Sequence, residues 1–265
     1  MTASIIIPTC DTTGELIAPC LKTLFETLPS MESFEVIVVA NGASRDIFDW
    51  TRAYPQVKVL YSAERLGYPV AVNMALRFAQ RDLILLLNDD VTFTGGGWFE
   101  RLAEVTNRPH NSFVGPWLFS HDWDWGGKHF GRFFATGFWC AMFRKSLLDK
   151  IGYLDEYFSP GGNEDSDICL RADLCGYRCA CVVCDEIKHK GSSTFSKHHP
   201  NYFRDGWQMF WEKWSGPLGF FGIFQFEDTR VPSKEHEDKY HYDVLSRLKL
   251  VWKEEGVFGD LTRKE

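Results

Sequence analysis

Apolar positions in the first two thirds of the chain alternate between two textures. Short, near-continuous β-branched or leucine runs at Ile5–Ile7, Val36–Ala40, Val57–Tyr61 and Leu83–Leu87 predict strands. Between the first two, Leu16, Ile17, Cys20, Leu21 and Leu24 recur at helical spacing. They predict a helix capped by Thr13, running to about Leu28 and stopped by Pro29. Pro69 suits the first turn of another helix, through Phe78. Strands that are apolar on both faces and separated by helices predict an α/β fold, a mostly parallel sheet covered by helices on either side. Ligands on such a sheet bind beyond the carboxyl ends of the strands. There Asn41-Gly42 turns the chain after the second strand, and Leu83–Leu87 runs straight into Asn88-Asp89-Asp90.

The alternation then weakens. Phe113–Leu118 and Phe138–Phe143 read as strands, with a polar, aromatic loop over Ser120–Gly127 between them. A helix is predicted from Glu164 to about Cys175, closed by Gly176, followed by a strand over Cys179–Cys184. After Pro200 the texture changes again. Phe203, Trp207, Phe210, Trp211 and Trp214 repeat at helical spacing, and that aromatic face must be buried. It would lie against the preceding domain, a second subunit of an oligomer, or a membrane surface. An interfacial helix usually carries a Lys/Arg-rich polar face. Here Arg204 and Lys213 are offset by Asp205 and Glu212, so docking on the domain is the expectation. The tail beyond Ser233 is charged and predicted helical between Asp243 and Glu255. The chain thus divides into a domain over 1–199 and a helical extension over 200–265.

Composition narrows the class. The 265 residues are 45% hydrophobic and 25% charged, values of a folded globular chain. The net charge of −7 argues against general nucleic-acid binding, which depends on Lys/Arg neutralising phosphates. No run reaches the roughly 18 apolar residues of a spanning helix. The start, Ser4-Ile5-Ile6-Ile7-Pro8, has no leader-like pattern, so a cytoplasmic protein without a transmembrane segment is expected. Its eight Cys then read as reduced thiols. Five of them fall between Cys169 and Cys184, but only Cys181 and Cys184 form a CxxC pair, so buried free thiols are read in preference to structural zinc.

Three clusters carry candidate chemistry. The adjacent carboxylates of Asn88-Asp89-Asp90 suit Mg²⁺ or Mn²⁺, which take oxygen ligands and bind phosphates besides. The same residues also suit a turn that caps the segment after Gly95. Gly161-Gly162-Asn163-Glu164-Asp165-Ser166-Asp167 delivers three acids on the first turn of a helix, where the helix dipole favours them. A carboxylate on so flexible a loop could take a proton from an incoming hydroxyl. His189 lies just beyond a strand and offers an imidazole partner to a carboxylate-bound metal. Neither GxGxxG nor GxxxxGK[ST] occurs, and Pro8-Thr9-Cys10 stands where a dinucleotide fingerprint would begin.

Taken in order, these pieces resemble a family 2 glycosyltransferase of GT-A fold, with a flavour of its rhamnosyltransferase-like branch. The matching stretches begin with Ser4–Thr9, Val38–Ser44, Glu64–Tyr68 leading to Asn73, and Leu86–Val91. They continue with Gly137–Arg144, Tyr153–Glu156, Gly162–Asp167 with Leu170–Ala172, and His189 with Gly191, covering about residues 3 to 196. The resemblance implies a Rossmann-like, mixed but mostly parallel sheet. It implies an inverting, metal-dependent transfer from a UDP- or dTDP-sugar to a hydroxyl of a glycan or glycoconjugate. Pro8, Thr9 and Asn41 would line the nucleoside pocket, with Arg65 reaching base or phosphate. Asn88-Asp89-Asp90 matches the DxD-type motif with Asn in first place; Asp90 would bind Mn²⁺ or Mg²⁺, and Asp89 the ribose or sugar. Asp165 matches the catalytic base, Glu164 an acceptor or sugar contact, and His189 a second metal ligand.

Sugar rings present apolar C–H faces that stack on aromatic rings, so Trp123, Trp125 and Trp139 are expected on the acceptor side. For Trp139, flanked by Phe138 and Cys140, core packing is the competing expectation. Two other functions compete with this one. A nucleotide-binding oxidoreductase would need the missing glycine fingerprint, and a non-catalytic carbohydrate-binding protein would need neither a metal nor a diphosphate site.

Overall fold

The computed structural model describes residues 2–29, 33–43, 45–52, 54, 56–125, 128–191, 206–210 and 213–214, except the side chains of 48, 50 and 121–132. The Ile5–Ile7 run lies in β1 (Ala3–Thr9), paired in parallel with β2 (Phe34–Asn41) and β4 (Leu83–Leu87). Register sets Ile6 beside Ile37 and Leu86, so one face of three strands is apolar at the same level. Ile6, Ile37 and Leu86 pack with α3 (Tyr68–Phe78) and α6 (Glu164–Leu174). Ile5, Ile7, Val36 and Val38 face the opposite layer, made by α1 (Ile17–Thr27) and α4 (Trp98–Thr106). The period-2 strand pattern thus divides the core between the two faces of one sheet.

Beyond β2 the sheet continues to β3 (Val57–Ser62), past α2 (Ile47–Thr51). On the other side it passes from β4 to β9 (Cys140–Arg144), β6 (Asn111–Gly115) and β10 (Arg178–Cys181). The order is β10-β6-β9-β4-β1-β2-β3, with β9 alone antiparallel to both neighbours. Two small sheets complete it. β5 (Val91–Phe93) pairs with β11 (Ile187–His189), and β7 (Leu118–Trp125) pairs with β8 (Lys128–Thr136). A short helix, α5 (Leu148–Ile151), follows β9.

Several expectations are corrected. α1 begins at Ile17 with Leu16 in the N-cap position, so Thr13 is not its cap; Asp11 reaches over instead, and both Leu16 and Ile17 donate their N–H to its Oδ2. Residues 120–125 belong to the strand β7 and not to a loop; the alternation through Phe119, His121, Trp123 and Trp125 is a strand pattern, and the Gly126-Gly127 pair separates it from β8. The Phe113–Leu118 run is split by a break after Gly115, and the strand around Cys179 ends at Cys181. All eight Cys are free thiols. Of the five expected to be buried, Cys169 and Cys184 are, Cys175 and Cys179 are half-buried, and Cys181, at the end of β10 at the sheet edge, is exposed.

Residues 206–210 and 213–214 are helical. Phe210 and Trp214 are buried in the same cluster as Phe133, Phe158 and Ile168. Trp207 packs partly buried against that cluster; Phe203, Trp211 and the tail from Ser233 lie outside the described residues. Lys213, read above as part of a balanced polar face, is instead buried, 3% exposed, and ion-paired with Asp155 and Asp167.

Candidate active site

Parallel strands bring Thr9, Asn41 and Asn88 to one edge of the sheet, because β1, β2 and β4 all end there. β9 runs the other way, so its beginning reaches the same edge: Asn88 donates its N–H to Trp139 O at 2.9 Å. The side chains sought in the sequence gather around this line.

At one end stand Asp90 and His189. Pairing of β5 with β11 sets His189 opposite Val91, and Lys190 donates its N–H to Asp90 O at 3.1 Å. His189 Nε2 lies 3.1 Å from Asp90 Oδ1, and that imidazole nitrogen makes no hydrogen bond. Trp139 stacks flat on His189, with ring centroids 4.6 Å apart and planes within 5°. Gly137 makes room for this ring, since a Cβ there would lie 2.8 Å from Trp139 Cδ1. A pocket of about 360 Å³ opens beside Asp90 and His189, also lined by Glu15, Lys188 and Lys190. A carboxylate oxygen and a bare imidazole nitrogen aimed at one spot fit a divalent ion whose remaining ligands are waters and phosphate oxygens.

Next along the edge, Asp89 is buried and accepts the Thr9 hydroxyl at 2.6 Å. Burial, with the nearby charges of Asp90 and Asp11, pushes its carboxyl up to about 7 against the pull of the Thr9 hydroxyl. Asp11 behaves oppositely. Burial works to raise it, but N–H donations from Thr13, Leu16 and Ile17 outweigh that and hold it below the usual carboxylate value. Asp11 also donates its own N–H to Thr9 Oγ1, so α1, Thr9 and Asp89 form one chain of contacts.

Farther along, Asn41 is buried and turned inward. Its amide accepts the Leu66 N–H at 2.6 Å and donates to Gly67 O, so it fixes the turn that carries Arg65. Arg65 is exposed and lies over Gly42, where a Cβ would fall 2.5 Å from Arg65 Cγ. Its charge acts on Cys10, beside Pro8 and Thr9.

The acids form the other end. Glu164 Oε2 accepts the Gly162 N–H at 2.5 Å, and Asp165 Oδ1 accepts the Ser166 N–H at 2.7 Å. Burial pushes Asp165 up to about 6 despite donations from Ser166 and the Phe138 backbone. Burial beside the Asp165 charge pushes Glu164 further, to about 8. Tyr68 donates its hydroxyl to Phe138 O at 3.0 Å, and burial near these two acids raises its own ionisation well above the usual value.

The structure thus brings Thr9, Asp89, Asp90, His189 and Trp139 together, and joins Phe138 to Asp165. Trp139 lies against His189 rather than deep in the core. Trp123 and Trp125 sit on β7, and their side chains are outside the described residues. Sequence reasoning missed Tyr68, Asp11 and the Phe138 backbone. Asp11 had a signal, an Asx residue ahead of an apolar helical run; the others depend on tertiary placement.

Comparison with known proteins gives the family and the fold. The model of glycosyl transferase family 2 matches residues 4–163. An uncharacterized protein of Sinorhizobium fredii, y4gI, is 26% identical over 72% of this chain and 24% of its own length. The O-antigen biosynthesis protein RfbC of Myxococcus xanthus is 25% identical over 82% of this chain and 19% of its own. The chain therefore spans about a fifth to a quarter of the length of these curated relatives. Among solved structures, mannosyltransferase PcManGT from Pyrobaculum calidifontis, in complex with GDP-Man and Mn²⁺, superposes with a TM-score of 0.58 at 15% identity, covering 94% of this chain and 69% of that one. GalNAc-T7 with UDP, GalNAc and Mn²⁺ gives 0.66 at 11% identity, covering 98% and 58%. These superpositions define a GT-A fold. The chain belongs to glycosyl transferase family 2. That membership leaves no support for the oxidoreductase reading. Among the described residues no helix is long and apolar enough to cross a membrane.

Proposed function

We propose that the protein is an inverting, divalent-metal-dependent glycosyltransferase. It transfers a hexosyl or deoxyhexosyl group from a UDP- or dTDP-sugar to a hydroxyl of a glycan or glycoconjugate, as in the rhamnosyltransferase-like branch. Residues 1–199 form the catalytic domain, and 200–265 a helical extension docked on it; burial of Phe210 and Trp214 among Phe133 and Phe158 supports that docking. The free thiols fit a cytoplasmic setting.

One observation carries the mechanism: Glu164 and Asp165, neighbours on the first turn of α6, are both pushed above the usual carboxylate range by burial. The pair keeps a proton near neutral pH, which gives a proton acceptor beside a hydrogen-bond donor. The acceptor hydroxyl attacks the anomeric carbon from the face opposite the diphosphate and loses its proton to Asp165, so one displacement inverts the configuration. Protonated Glu164 orients the acceptor or sugar. Asp90 and His189 would hold Mn²⁺ or Mg²⁺, which when bound offsets the charge growing on the leaving diphosphate. Lys188 and Lys190 line the same pocket and add positive charge there. Asp89, steadied by Thr9, takes a ribose or sugar hydroxyl. Pro8, Asn41, Arg65 and Asn88 frame the nucleoside side, with Asn41 acting through the turn it holds. Trp123, Trp125 and Trp139 shape the sugar side.

The test is a donor screen of UDP-, dTDP- and GDP-sugars, with Mn²⁺, Mg²⁺ or EDTA, reading nucleoside diphosphate release. Metal-dependent release from one donor is expected. Asp165→Asn should reduce transfer by about 10²–10⁴-fold while donor affinity holds. Near-normal turnover by Asp165→Asn would overturn the assignment of the base.

A further inference from the structure

The segment 206–214 grips the acid-bearing turn from both sides. On the upstream side, a Cβ on Gly206 would lie 2.7 Å from the carbonyl oxygen of Gly162 and 2.8 Å from its carbonyl carbon. The two glycine backbones therefore meet with no room for a side chain. Gly162 is the residue whose N–H holds Glu164 Oε2.

On the downstream side, the buried Lys213 ammonium lies 2.8 Å from Asp155 Oδ2 and is also paired with Asp167 Oδ1. Trp214 Nε1 donates to that same Asp167 oxygen at 2.8 Å. Asp167 Oδ2 accepts Arg171 Nε at 2.9 Å, and Arg171 is itself buried and bonded to Ile151 O. Two carboxylates and two cations balance in this interior cluster, and loss of one cation leaves an uncompensated buried charge. Asp167 also donates its N–H to Asn163 O, closing the first turn of α6. Glu164 and Asp165 lie between the two grips.

We propose that residues 206–210 and 213–214 are a positioning element for Glu164 and Asp165, with Gly206 bearing on Gly162 before them and Lys213 and Trp214 holding Asp167 after them. The inference rests on the reading of Asp165 as the proton acceptor. A segment that only covered the core would need contact with Phe133 and Phe158 alone. Close backbone contact with the glycine loop and two bonds to one oxygen on the acid-bearing turn fix geometry as well. Displacement of a catalytic group by about 1 Å costs on the order of 100-fold in rate.

Gly206→Ala in the full-length chain forces the two glycine backbones apart, and Trp214→Phe removes the indole donor to Asp167, so thermal melting first identifies the variants whose core stays packed. Turnover is measured together with amide hydrogen exchange. Gly206→Ala should lower kcat by at least about tenfold with donor KM within about twofold, since Asp90 and His189 lie at the other end of the site. Trp214→Phe should act in the same direction and less. Exchange should quicken over residues 160–170 and not over β1, β2 or β4. Folded variants with wild-type kcat and wild-type exchange would overturn the proposal. Equal losses in kcat and donor affinity would also overturn it, by making the segment a general support. Faster exchange over 160–170 with unchanged kcat would uphold the grip and overturn the catalytic role of Asp165 instead.

Discussion

A carboxyl can serve as a base only over the pH range in which it is ionised, and at Asp165 burial sets where that range begins. With its ionisation raised to about 6, the carboxyl is protonated and inactive below that value. The rate of transfer should therefore fall tenfold per pH unit on the acid side of about 6, measured as kcat at saturating donor and metal. An acid limb near 8 would move the role to Glu164, the more strongly raised of the pair. At the other end of the site, Asp90→Ala and His189→Ala should each raise the Mn²⁺ concentration needed for half-maximal activity. The carboxylate should matter more, since it brings charge as well as a ligand atom. Titration with Mn²⁺ at fixed donor checks this, and an unchanged midpoint in both variants would remove the pair as ligands.

Among the elements, α1 depends most on a single side chain. Asp11 accepts N–H groups from Thr13, Gly14, Leu16 and Ile17, which otherwise face the start of the helix without partners. Asp11→Ala should cost about 1–2 kcal/mol, and a melting temperature lower by several degrees, read by calorimetry, is the expected result. It should also loosen Thr9 and hence Asp89, so donor affinity falls with stability. Strands β1, β2 and β4 were legible because a residue buried on both faces must be apolar, and Ile5–Ile7 or Leu83–Leu87 has no other reading. The hairpin β7–β8 was not, because Asp122 and Asp124 break up its aromatic positions and make the run resemble a loop. α1 was misplaced at its start because Thr13 is a plausible cap in isolation, while Asp11 reaches the same amides from farther back.

For the whole molecule, the acids at the sheet edge set a pH dependence of stability. Glu164 rises from 4.5 to about 8, Asp165 from 3.8 to about 6, and Asp89 from 3.8 to about 7. In each case the folded chain keeps a proton that the unfolded chain has released, so stability is lost as pH climbs from about 4 to 8. The depressed carboxyls, Asp11 and Glu35, act in the opposite direction but only in the acid range below their ordinary values. The protein in EDTA should melt higher at pH 5.5 than at 8.5 by scanning fluorimetry, and Glu164→Gln should flatten that slope; a flat profile in the parent would contradict the burial of these acids. The motifs Asn88-Asp89-Asp90 and Glu164-Asp165 could be read locally, because each is a short run with its own chemistry. Lys213 could not: its partners, Asp155 and Asp167, lie 58 and 46 positions earlier, and a lysine among aromatics looks like a solvated one. Phe138 and Trp139 are consecutive: the backbone of one acts on the Asp165 carboxyl, and the ring of the other lies on His189. The dipeptide therefore links the acid-bearing turn to the His189 ring, so that a shift of its backbone is felt at both.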